Sequence, residues 1–150
     1  MIRKRLNFNT VTNESKTFAR KFLLEYNILV VFTLNDSWAD CKKSTVGLET
    51  DVPLNEFYSL MFHELSHILA YRSKKFYKYH HDKASNEYMW KHGLRIERWI
   101  DKRAKSMMNL YMPDMKFVPA YRNEESLNSY YEWLKEHYPI TNEADKGAKK

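Results

Sequence analysis

Residues that build a scaffold by covalent links or backbone freedom are scarce in this chain. It has one cysteine, three glycines and four prolines in 150 residues. A single thiol excludes an internal disulfide framework and any four-cysteine zinc ribbon. Cys41 has no CxxC partner and reads as a small buried residue. The low glycine and proline content excludes collagen-like and linker-type architectures. No apolar run approaches the roughly 20 residues needed to cross a bilayer. The basic start Met1-Ile2-Arg3-Lys4-Arg5 is not followed by the apolar stretch of a secretory signal. The expectation is a protein of the reducing cytoplasm with no membrane association. Apolar and aromatic residues are plentiful, at 43% and 15%. They suffice for a single domain over 1–140 that buries about 70% of its unfolded surface, with 141–150 as a flexible tail.

Charge is unevenly spread. Residues 1–5, 71–83, 91–105 and 141–150 carry +3, +4, +4 and +1, which leaves −6 on the rest of a chain whose net charge is +6. The basic band at 71–83 and 91–105 is either a solvated flank or a contact for a phosphate backbone or an acidic protein. Within it, Tyr71, Phe76, Tyr77 and Tyr79 interleave with Arg72, Lys74, Lys75 and Lys78. Such mixtures can stack on single-stranded nucleic acid, though a solvated loop rimming a cleft is the simpler account.

Apolar periodicity predicts an α+β domain. A helix opens at Thr12-Asn13 and runs to about Tyr26. Residues 28–34 form a buried β-branched strand, Trp38 to Cys41 a second strand, and Ser44 to Thr50 a short edge strand. A helix capped by Asp51 carries Phe57, Leu60, Met61, Leu65, Ile68 and Leu69 on its apolar stripe and ends near Arg72. After a loop over 73–82 come a long helix from Ala84 to Tyr111 and a last helix from Glu124 to Tyr138. The expected architecture is a small antiparallel or mixed sheet packed on three or four helices. The methionines clustered at 107–115 read as core filler.

The most informative segment is His63-Glu64-Leu65-Ser66-His67. Histidines at i and i+4 lie one turn apart on one helix face and can reach a single metal ion, with Glu64 beside it to take a proton from water. Chance places HExxH in roughly 2% of chains of this length and composition. A catalytic zinc needs a third protein ligand and an open position. Ala70 and Ser73 stand where an extended HExxHxxGxxH motif needs Gly and His. On the long helix, Trp90, Leu94, Glu97, Asp101, Ala104 and Met108 define one stripe, and its two carboxylates interrupt an apolar face. Glu97 can complete a His-His-Glu site, and Asp101, one turn on, can accept the free N–H of a ligating imidazole. Salt bridges to Arg98, Lys102 or Lys105 are the bland alternative for the pair. His80 or His81 is the competing third ligand, giving a His₃ site that resembles SprT-like proteases.

With Glu97-Arg98-Trp99-Ile100-Asp101 following it, the motif resembles the gluzincin pattern HExxH…ExxxD. More narrowly, residues 44–113 resemble the small ImmA/IrrE-like metallopeptidases of phages and mobile elements. Ser66 in place of Gly and the long Lys/Tyr/His loop depart from their usual pattern. The resemblance implies a minimal zincin-like fold with an edge strand above the HExxH helix, and one Zn²⁺ per chain held by His63, His67 and Glu97. It implies Glu64 as general base, Asp101 as support for a ligating His, and a protein or peptide substrate such as a DNA-binding repressor. An oxyanion stabiliser is also needed, for which Tyr79, His80, His81, Tyr88 and His92 are candidates. The competing expectation is a nucleic-acid- or protein-binding module on a degenerate protease scaffold, using the basic band.

Overall fold

Thr12 starts the first helix by a capping box. Its hydroxyl accepts from the Ser15 amide, and Ser15 Oγ accepts from the Thr12 amide. The computed structural model describes residues 10–80 and 84–140. Within them the order is α1 (Asn13–Leu24), β1 (Leu29–Thr33), β2 (Trp38–Asp40), β3 (Thr45–Glu49), α2 (Leu54–Arg72), a single turn α3 (Tyr77–His80), α4 (Asn86–Tyr111) and α5 (Glu124–His137). The chain is thus α+β, with a small mixed sheet. No helix among these residues is long and apolar enough to cross a membrane. Residues 1–9, His81 and the expected tail at 141–150 lie outside the described residues.

The strand order corrects the expectation for the sheet. It is β1-β3-β2, with β1 parallel and β2 antiparallel to β3, so Ser44–Thr50 supplies the central strand and not an edge. Val46, Gly47 and Leu48 are all buried. The outer face is closed by Trp38, the cross-strand partner of Gly47: a Cβ at Gly47 would lie 2.3 Å from the indole. Conversely β1, read as buried, is an edge strand with Leu29 63% and Val31 48% exposed. An apolar run of this length has the same composition whether one or both of its faces is covered.

α2 is the central helix. Phe57, Met61, Phe62, Leu65 and Ile68 are fully buried, and residues 61–68 are buried all round, as expected of a helix with neighbours on every side. It begins at Pro53 with no side-chain cap, so Asp51 does not cap it. α1, the sheet and the far end of α4 cover it, with Phe22, Leu48 and Met108 in one cluster. On α4 the buried stripe contains Glu97, Asp101, Ala104 and Met108 as predicted, but Met89 and Gly93 stand in it in place of the expected Trp90 and Leu94. It comprises Met89, Gly93, Ile96, Glu97, Ile100, Asp101, Ala104 and Met108. Trp90 and Leu94 instead pack, half-buried, toward α5, where Trp90 Nε1 donates to the Tyr138 carbonyl at 2.7 Å.

At Gly93 the Tyr130 side chain of α5 rests on α4, and a Cβ there would lie 2.2 Å from the Tyr130 hydroxyl. Helix propensity alone makes Gly93→Ala stabilising by up to about 1 kcal/mol. Steric conflict with Tyr130 reverses the sign, and a loss of about 1–3 kcal/mol is expected in urea unfolding.

Candidate functional site

Helical spacing on α2 stacks His63 over His67, with ring centroids 4.9 Å apart and nearly perpendicular. α4 brings Glu97 against both. Its Oε1 lies 3.1 Å from His63 Nε2 and 3.2 Å from His67 Nε2. All three side chains are buried, and their ligand atoms lie within 4.8 Å of one another, so the group could hold a metal ion.

The outward-facing atoms of these residues are each engaged. His63 Nδ1 is 2.8 Å from Asp101 Oδ1, and the other Asp101 oxygen accepts the Ala120 amide at 2.7 Å. His67 Nδ1 is 3.1 Å from His80 Nε2, and His80 Nδ1 is 3.1 Å from the Lys75 carbonyl. A carbonyl only accepts, so His80 carries its proton on Nδ1 and accepts from His67 with Nε2. Burial first, and the neighbouring His67 second, lower the His80 pKa to about 4, which keeps it neutral in this role. The Tyr79 hydroxyl donates to Glu97 Oε2. With both Nδ1 atoms donating outward, the Nε2 lone pairs of His63 and His67 converge on a carboxylate oxygen. Three acceptors at such distances require a cation or a proton between them. A set of two imidazole nitrogens and one carboxylate oxygen suits zinc.

In the metal-free chain a proton fills part of this need. Burial opposes charge on His63, but its bonds to Asp101 and Glu97 outweigh burial and hold its pKa well above the usual value. Burial likewise opposes ionised Glu97, but the two imidazoles hold its carboxyl well below the usual range.

The site forms the floor of a cavity of about 680 Å³. It is lined by β2 and its flanking residues, from Asn35 to Cys41, and by Tyr121, Tyr130 and Trp133. Glu64 lies on the floor beside the histidines, and burial raises its pKa. Of the other sequence candidates, His80 is brought in, but at the far nitrogen of His67 and not beside Glu97 as a third ligand. Tyr79 is engaged by Glu97. Tyr88 packs on His92 at 4.7 Å, and neither lines the cavity. His81 is outside the described residues. Sequence reasoning missed Tyr121, Tyr130 and Trp133. The Tyr130/Leu134 spacing marks α5 as amphipathic, but nothing in it says which face meets a cavity. No family model, curated protein or solved structure matches the chain.

A folded-state pKa above the ordinary value means His63 keeps its proton until the pH passes that raised value, so a metal must displace it. Calorimetry in two buffers of different ionisation enthalpy should show about one proton released per ion at pH 7, with affinity climbing as pH rises. Removing an outer partner, by His80→Phe or Asp101→Ala, should weaken metal binding about 10–100-fold in chelator competition.

Proposed function

We propose that the chain is a zinc-dependent peptidase, with His63, His67 and Glu97 as ligands and Glu64 as general base. The observation that carries this is the buried meeting of HExxH on α2 with Glu97 on α4, at the floor of an open cavity. When bound there, the ion supplies Lewis acidity, polarising a carbonyl and acidifying a water. Glu64 orients that water, takes its proton and delivers it to the departing amine nitrogen. Its burial suits both halves of this task, because a raised pKa makes the carboxyl a better base and a competent acid at neutral pH. Asp101 and His80 hold the two imidazoles in register.

The free sheet edge beside the cavity is β2, with β3 enclosed behind it. An extended peptide adding to this edge would lay its backbone across Glu64. With Tyr79 engaged by Glu97, we assign oxyanion stabilisation to Tyr121. Its neighbour Ala120 is tied to Asp101, and burial, reinforced by the charges of Glu97 and Glu64, keeps its phenol protonated. That the substrate is a regulatory protein of a phage or mobile element rests on the family resemblance alone.

Glu64→Gln should retain metal and lose peptide hydrolysis by about 10²–10⁴-fold in a fluorogenic peptide assay. Wild-type behaviour of this variant would sink the hydrolase assignment. A binding module would then take its place, with the exposed stripe Lys91, Arg95, Arg98, Lys102 and Lys105 as its nucleic-acid contact.

A further inference from the structure

We infer that the cavity selects a cationic peptide segment, seating a lysine or arginine side chain against the aromatic side chains of α5 and the acidic lip at β2. This rests on the peptidase assignment for its setting and names the charge of the substrate.

The chain as a whole carries +6, yet the cavity is acidic. Among the described residues, Asp36, Asp40, Glu49, Glu64 and Glu97 line it against one lysine, Lys42. With all five ionised, that lysine and a divalent ion still leave two negative charges, and one remains when Glu64 is neutral or replaced by glutamine. The basic stripe of α4 is exposed on the flank of the helix away from Glu97 and does not line the cavity. A cleft lined by one sign of charge concentrates ligands of the other sign, and this one repels a phosphate backbone. The lip is also crowded. Burial, then Glu56, Asp36 and Asp51, raise the Glu49 pKa to about 6, a strain that a cation relieves.

Aromatic residues line the same cavity, among them Trp133, 39% exposed. Tyr130 and Trp133 stack with centroids 6.0 Å apart, and Tyr121 meets Tyr130 edge-on at 5.0 Å. Ammonium and guanidinium groups favour such faces. Tyr130 lines the cavity by its ring, its hydroxyl being packed against Gly93 of α4.

The test uses zinc-loaded full-length Glu64→Gln protein and three labelled decapeptides, identical except for two central positions that are Lys-Lys, norleucine-norleucine or Glu-Glu. Fluorescence anisotropy should rank them in that order, the lysine peptide binding about 10-fold or more tighter than the glutamate peptide, with the gap narrowing as salt rises. Asp36→Asn with Asp40→Asn should remove much of the gap. Equal affinities, norleucine first, or no binding of any of the three would overturn the inference. Preferential binding of the lysine peptide without its hydrolysis by the wild-type chain would remove the peptidase assignment and leave charge selection standing. Equal binding with hydrolysis of all three would do the reverse.

Discussion

Two carboxylates on the inner face of α4 have to be reconciled with an apolar helix interface, and the rest of the molecule is arranged around that constraint. Glu97 and Asp101 sit among Ile96, Ile100 and Ala104, all fully buried. An ionised carboxylate in such surroundings costs several kcal/mol unless it is paired and hydrogen-bonded. The pairing comes from α2, whose two histidines meet Glu97 from one side while Asp101 grips His63 from the other. Breaking any member leaves a buried charge or lone pair uncompensated. The α2–α4 interface is therefore held by polar groups as well as by its apolar side chains.

From this centre the hydrogen bonds run outward into the segments that follow α2 and α4, whose Phe76, Tyr79 and Phe117 also pack into the apolar clusters. The stretch after α2 is drawn in through Lys75, His80 and Tyr79. Left-handed backbone at Lys74 and Phe76 turns it back toward the site. The stretch after α4 is drawn in through Ala120, bound to Asp101, and Val118, bound to Ser59. Both segments thus include groups tied to those that aim the imidazoles. Any ion bound to the folded chain adds to its stability.

Much of this is legible in the sequence where the cause is local. Thr12 at a helix start and HExxH at helical spacing need only neighbours along the chain, and Glu97 and Asp101 stand out because they interrupt an apolar period. What escapes is set by long-range packing. The order of the strands brings Trp38 over Gly47, a contact between strands with no trace in either one's composition. The first two positions of the α4 stripe differ because two partners, α2 and α5, share the helix, so Trp90 and Leu94 answer to a different neighbour from Glu97. His80 could be picked out as a potential ligand from its type and position. That it buttresses His67 depends on a carbonyl five residues earlier fixing its tautomer.

Taken together, the distribution of charge and the site chemistry describe a basic molecule with an acidic, aromatic-walled cleft over a pair of imidazoles and a carboxylate. Zinc K-edge X-ray absorption on the purified, zinc-loaded chain tests the centre of this account most directly. Scattering from two imidazoles with only nitrogen and oxygen ligands, at about 2.0–2.1 Å, is the predicted result. A sulfur ligand at about 2.3 Å from Cys41, which lines the same cavity, fewer than two imidazoles, or failure to retain zinc at all would contradict it.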